Sequence, residues 1–284
     1  MNLSDTKTLL KTYGLKPNKL LGQNFLICEN ILANIIEAAE LIPDDIVLEI
    51  GPGLGVLTIE LARKVKTVIA VEKDIKMFAL LKDVLKNEKI DNVEIANEDG
   101  LNYSPPSTPY KLIANLPYYI TNPIIMKFLE AETQPACNAV ATAGRPELMV
   151  LMVQKEVAQR ICSNPPKMNK LAVFCQFYSQ PKIIDYVPKT CFWPSPKVDS
   201  AIIKLTPTET TEGPSFRVSF SKIVNAGFSQ PRKQLLNNLS KELNLSREQT
   251  AQWLACVDIK PTQRAETLSI DNWIRLATKF DRNF

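Results

Sequence analysis

Residues 46–55 read Ile46-Val47-Leu48-Glu49-Ile50-Gly51-Pro52-Gly53-Leu54-Gly55. Ile46–Ile50 is a short, β-branched, apolar run that stops at glycine, which predicts a buried strand. The glycines after it predict a loop whose backbone approaches a ligand closely, and Gly55 to Lys64 fits a helix. Several nucleotide-binding folds share a glycine loop between strand and helix, so the spacing matters. Here it is Gly-x-Gly-x-Gly with Glu49 just ahead, not the Gly-x-Gly-x-x-Gly of dinucleotide enzymes.

Outward from this loop the pattern alternates. A helix is predicted over 30–40, strands over Thr67–Glu72, Val93–Ala96 and Tyr110–Ala114, and helices over Ile75–Lys86 and Pro123–Glu130. Residues 131–147 are polar, carry Pro135, Gly144 and Pro146, and read as a surface loop. Strands follow over Leu148–Val153, Leu171–Tyr178, Ile183–Val187 and Ser200–Leu205, with a helix over Gln154–Ile161. The expected class is α/β, a Rossmann-like, mostly parallel sheet with helices on both faces. Thr206–Pro214 reads as a linker. Helices are then predicted over Phe216–Gly227, Pro231–Leu239, Ser246–Val257 and Ser269–Phe280. The expected domains are a catalytic one over 1–206 with a basic N-terminal extension and a small helical one over 207–284.

Composition narrows the chemistry. Among the 284 residues there is no histidine, which excludes Ser-His, Cys-His and His-metal mechanisms. The six cysteines are scattered without a Cys-x-x-Cys pair, against both a disulfide framework and a zinc site. No metal is expected. No apolar run reaches the roughly 20 residues of a membrane helix, and the start lacks the layout of a secretory signal. A cytoplasmic protein with no membrane partner is the expectation. The net charge of +4 is modest, but basic residues gather at 1–20 and at 216–244, as a nucleic-acid contact requires.

Three groups follow successive strands. Glu72 closes the strand after the glycine loop, where a carboxylate can accept both hydroxyls of a ribose. Asp99, in Glu98-Asp99-Gly100-Leu101, can accept from an adenine amino group, although alone it reads as an Asp-Gly turn. Asn115-Leu116-Pro117-Tyr118 is the decisive tetrapeptide. An adenine amine is a poor nucleophile because its lone pair is delocalised into the ring. The Asn115 side-chain oxygen and the Leu116 carbonyl can hold its hydrogens and favour a tetrahedral nitrogen. Tyr118 can stack on a base extruded from its helix, and Pro117 stiffens the turn. No strong base is needed, because the amine becomes acidic once methylated.

With these stretches the chain resembles the bacterial ribosomal RNA adenine dimethyltransferases that modify two adjacent adenosines of the small-subunit RNA. Leu21-Gly-Gln-Asn-Phe-Leu26, Glu49 to Gly55, Val71-Glu-Lys-Asp74, Glu98 to Leu101 and Asn115 to Thr121 carry the likeness. So do Val153–Arg160, Phe192–Ser200 and Ala226–Lys233. The resemblance implies S-adenosylmethionine as cofactor, with Asn24 and Leu26 at its methionine portion and Gly51 and Gly53 at its centre. Glu72 is implied at the ribose, Asp99 at the adenine, and Asn115 between the methyl donor and the target amine. It further implies Phe192 opposite Tyr118 on the target base, and Arg232 and Lys233 on RNA within a pre-ribosomal particle, by a monomer. Pro231, Met168-Asn169-Lys170 and the length of 131–147 depart from the family pattern. The alternatives are a large-subunit methylase of the antibiotic-resistance type, a DNA adenine methyltransferase and an RNA-binding assembly factor. The first two fit the Asn115–Pro123 stretch and the helical tail less well. The third has no use for an intact Asn115 motif.

Overall fold

The computed structural model describes residues 2–131, 144–208 and 213–283. The first part of the chain forms α1 (Leu3–Thr12), β1 (Phe25–Leu26), α2 (Glu29–Ala38), β2 (Ile46–Ile50), α3 (Val56–Ala62), β3 (Thr67–Val71), α4 (Ile75–Asn87), β4 (Val93–Ala96), β5 (Lys111–Asn115) and α5 (Thr121–Glu130). The rest forms β6 (Leu148–Gln154), α6 (Lys155–Ile161), α7 (Lys170–Tyr178), β7 (Ser179–Val187), β8 (Phe192–Trp193), β9 (Ser200–Pro207), α8 (Pro214–Gly227), α9 (Leu235–Glu242), α10 (Arg247–Ala255) and α11 (Ile270–Asn283).

Seven strands make one sheet in the order β4-β3-β2-β5-β6-β9-β7. The run from β4 to β6 is parallel, and β9 lies antiparallel to β6. This is the doubly wound α/β sheet that the sequence predicts. The chain builds outward from β2 to β4, then returns to the other side of β2 with β5. The order therefore reverses between β2 and β5, where open α/β sheets leave a crevice at the carboxyl ends of their strands. Val47, Leu48, Leu112, Ile113 and Val150 are fully buried, which accounts for the unbroken apolar runs of these strands. Ile31, Leu32 and Ile35 of α2 pack with Val47, Ile113, Val150 and Met152. Leu80 and Leu81 of α4 pack with Leu54, Ala70 and Leu10 of α1.

The chain divides into two compact units, Met1–Ala158 with Pro181–Pro207, and Gln159–Gln180 with Thr208–Phe284. Gln159–Gln180 is thus grouped with the C-terminal helices and not, as expected, with residues 1–206. The reason is a correction in secondary structure: Leu171–Tyr178 is helix, not strand. The Asn169 side chain caps α7 by accepting from the Ala172 N–H at 3.1 Å. Phe174 and Phe177 then pack on Phe220 of α8, the Phe177 and Phe220 rings stacking at 4.0 Å between centroids. Within the same unit α9 begins at Leu235, not Pro231, because Gln230–Lys233 closes a turn and Gln234 stays extended. Gly227 lies against Trp273, where a Cβ would stand 2.4 Å from the ring.

One helix, α1, has no counterpart in the predicted elements. Asn2 and Asp5 cap it reciprocally, each side chain taking the other's backbone N–H. The expected loop 131–147 falls largely outside the described residues, as do 209–212 of the linker Thr206–Pro214, whose ends belong to β9 and α8. Among the described residues no helix is long and apolar enough to cross a membrane, and no cluster of His, Cys, Asp and Glu can hold a metal.

Candidate active site

The carboxyl ends of β2, β3, β4 and β5 open on one cavity. Its lining includes Asn24, Leu26, Gly51, Gly53, Glu72, Asp99, Asn115–Tyr118 and Phe192. Every cofactor and chemical position singled out from the sequence is there. Arg232 and Lys233 are not: they stand exposed on the loop between α8 and α9 of the helical unit.

The loop after β2 is built from left-handed glycines, with φ of +73° at Gly51, +57° at Gly53 and +80° at Gly55. Other residues adopt this conformation only with strain. At Gly55 a Cβ would also lie 2.6 Å from Leu81. The loop folds back so that the Gly53 N–H donates to Glu72 Oε2 at 3.1 Å. Glu72 Oε1 accepts from the Asp74 N–H at 2.8 Å. The carboxylate is thereby fixed with lone pairs remaining, since two oxygens offer about four acceptor positions. Burial raises its pKa, against the pull of these backbone N–H groups.

Asp99 is tied differently. Its Oδ1 accepts from the Leu101 N–H at 2.9 Å and its Oδ2 from Lys73 Nζ at 2.7 Å. The Lys73 ammonium holds the Asp99 carboxyl below the usual range. The turn beyond it is braced by Lys127, whose ammonium donates to the carbonyls of Gly100, Leu101 and Tyr103.

At the end of β5, Asn115 points its amide nitrogen at the Asn24 carbonyl, 3.5 Å away. That contact turns the Asn115 oxygen the other way. Leu116 is buried, and Pro117 leads into a single helical turn, Tyr118–Ile120. Tyr118 is half-buried, its hydroxyl bonded to Ser200 Oγ at 2.7 Å, and burial pushes its pKa up. Tyr119, half exposed, lies over Gly22. The stretch 22–26 is held against this wall by the pairing of Leu26 with Phe192 and of Phe25 with Trp193. Phe192 is only 3 % exposed, so it borders the cavity from within the core.

Sequence reasoning missed the supports. Gln23 donates to Asp74 Oδ2 at 3.0 Å and accepts from the Asn18 N–H at 2.8 Å, joining the N-terminal segment to the end of β3. Lys73 stood in the quoted stretch Val71–Asp74, but only the fold shows that it reaches Asp99. Ser200 likewise ended the stretch Phe192–Ser200, but only the fold shows that it reaches Tyr118, 82 residues away, and Lys127, 24 residues from Tyr103, had no sequence signal.

Glu49, under the loop, is only 1 % exposed. Burial pushes its carboxyl up to about 8, the Thr58 hydroxyl opposing and the Glu72 charge adding. The folded chain thus keeps this proton up to pH about 8, while the unfolded chain releases it near 4.5. Between those values the folded state binds more protons, so stability falls as pH rises through the window and levels off above it. Glu49→Gln should remove this dependence. Urea unfolding from pH about 5 to about 8 is expected to give a flatter stability profile for the variant than for the wild type, and parallel profiles would count against a buried acid.

The family model described as ribosomal RNA adenine dimethylase matches residues 14–282. A ribosomal RNA small subunit methyltransferase A from Dehalococcoides mccartyi is 41% identical, over 99% of this chain and 94% of its own. The protein of the same name from Bacillus pumilus is 40% identical over 96% of this chain and 94% of its own. Among solved structures, a dimethyladenosine transferase from Plasmodium falciparum superposes with a TM-score of 0.76 at 26% identity, over 91% of this chain and 98% of its own. The 23S rRNA methyltransferase ErmE gives a TM-score of 0.71 at 27% identity, over 91% and 100%.

Proposed function

The chain belongs to the ribosomal RNA adenine dimethylase family, and from that premise we infer that it is the S-adenosylmethionine-dependent enzyme that dimethylates adenosines of small-subunit ribosomal RNA. The observation that carries the reading is one cavity lined together by Glu72, Asp99 and the Asn115–Tyr118 tetrapeptide. The full-length relatives at about 40% identity bear the small-subunit name, which sets this reading above a large-subunit one.

The cavity fits an adenosine-type cofactor. Side chains on the glycine loop would fill the space next to Phe25 and Pro117. Glu72 offers fixed acceptors to a ribose, Asp99 an acceptor to an adenine amino group, and Leu26 and Phe25 apolar contact near the methionine portion. When bound, S-adenosylmethionine supplies an electrophilic methyl group on a sulfonium. The chain's own part is alignment and charge placement. The Asn115 oxygen and the Leu116 carbonyl accept from the two hydrogens of the target amine and draw its lone pair out of the ring. Tyr118, steadied by Ser200, forms one face of the base site and Phe192 the other. Protons leave to solvent from an amine made acidic by methylation, so the lack of histidine is no obstacle.

The finer roles belong to the same proposal: Asn24 and Leu26 at the methionine portion, Gly51 and Gly53 at the cofactor's centre, and a monomer acting on two adjacent adenosines within a pre-ribosomal particle. Nucleoside analysis of methylated small subunits tests the reaction. Dimethyladenosine is expected, and a methylated cytidine or guanosine as the product would contradict it.

Arg232 and Lys233 are placed on phosphate by this proposal. Each phosphate contact contributes about 0.7 to 0.9 to the slope of log K against log salt. Changing both to Ala should weaken binding to small-subunit RNA at low salt and lower that slope by about 1.5. An unchanged slope in a filter-binding titration would take them off the RNA.

A further inference from the structure

We propose that Cys28 and Cys191 are a redox-reactive dithiol, converted by peroxides into an intrachain disulfide that fastens β1 to β8 and arrests methyl transfer.

The two cysteines are 163 positions apart in sequence and no spacing rule pairs them. The fold brings them together. Leu26 pairs with Phe192 in the β1–β8 ladder, and one residue further on the Ile27 N–H donates to the Cys191 carbonyl at 2.9 Å. Cys28 follows at once as the N-cap of α2, and Cys191 ends the turn that leads into β8. The antiparallel register sets Ile27 opposite Cys191, so Cys28 is the diagonal neighbour of Cys191, one residue along. Both side chains pack in the same apolar cluster, and both thiols are free. Burial, with the Cys28 thiol beside it, pushes the Cys191 thiol up to about 11. The half-buried Cys28 is therefore the sulfur that meets an oxidant first, and the buried Cys191 is the resolving one.

The chemistry balances with one peroxide. Peroxide oxygen transfers to the Cys28 sulfur, giving a sulfenic acid and one water. The Cys191 sulfur then attacks that sulfur: an S–S bond forms, the S–O bond breaks, and the hydroxyl leaves with the Cys191 proton as a second water. A dithiol reductant reverses the link by thiol–disulfide exchange.

The bond would sit two positions from Leu26 and one from Phe192. The effect on turnover rests on the proposal that Phe192 receives the target base. Phe192 is buried against β1, so admitting a base requires β8 to move relative to β1. A disulfide there holds the closed register but leaves the walls at Glu72 and Asp99 as they are.

The test treats the full chain with hydrogen peroxide and maps its peptides without reduction. The expected result is a Cys28–Cys191 linked peptide, loss of methyl transfer to small subunits, retained calorimetric binding of S-adenosylmethionine, and recovery with dithiothreitol. Cys28→Ser, altered at the half-buried partner, should keep its turnover under peroxide, and Cys191→Ala gives a second variant with the same expectation. Both cysteines remaining open to alkylation after treatment would overturn the proposal, as would inactivation of Cys28→Ser to the same extent as wild type. Turnover by Phe192→Ala separates the two levels. If that variant is unimpaired, the base-site reading of Phe192 fails, while the linked peptide still reports on the dithiol.

Discussion

Asn115→Ala is expected to lower methyl transfer to small subunits by on the order of 10²- to 10³-fold, the usual cost of losing one preorganised hydrogen-bonding group at a reacting centre. Cofactor affinity should change little. Asn115 ends β5 in a fixed register with Met152 of β6, and its backbone and the Leu116 carbonyl stay in place in the variant. What is lost is the acceptor that its contact with Asn24 directs away from that segment. Single-turnover methylation with saturating cofactor reads the effect on chemistry, and calorimetry reads binding. A variant that turns over at the wild-type rate would remove Asn115 from the reaction. One that fails to bind cofactor would make it a structural residue of the cavity.

Glu72→Ala should act at the other step. Its carboxylate organises the site twice, by holding the Gly53 and Asp74 N–H groups and by offering its remaining lone pairs to a ribose. Hydrogen bonds to a charged group are worth about 1.5–3 kcal/mol. Losing the ribose contact and loosening the loop should weaken cofactor binding by roughly 30- to 150-fold, or about 2–3 kcal/mol. Turnover at saturating cofactor should fall much less than in Asn115→Ala. Glu72→Gln keeps an acceptor and should lie between. Unchanged affinity in Glu72→Ala would place the ribose elsewhere.

The residues that touch the cavity were legible in the sequence for a common reason. A parallel sheet puts the residues after successive strands on one edge, so Gly51, Glu72, Asp99 and Asn115 could be assigned together once the strands were placed. Strand ends also carry local signals: glycines that need positive φ, an Asp-Gly turn, a proline. What was not legible depends on partners distant in sequence. Lys127 reads as an ordinary helix lysine until the turn after Asp99 lies beside it. Leu171–Tyr178 is apolar nearly throughout, so periodicity cannot separate buried strand from buried helix. Asn169 and the rings of α8 decide it. The helix α1 lies in a stretch that reads only as basic, and its capping box shows the helix once Asn2 and Asp5 are seen together. Phe192 was expected opposite Tyr118 on the target base. It lies in a short strand paired with β1, and that pairing brings Cys191 beside the end of β1 that runs on to Cys28.

In the proposed reaction this cavity methylates adenosine in small-subunit RNA. Methyl transfer from labelled S-adenosylmethionine to unmethylated small subunits, large subunits and DNA, assayed in parallel, tests it most directly. Label confined to small subunits and recovered as dimethyladenosine is the predicted result. Label in large-subunit RNA or DNA would assign the chain to another substrate, and no transfer to any of the three would leave it a binding protein, contradicting the account.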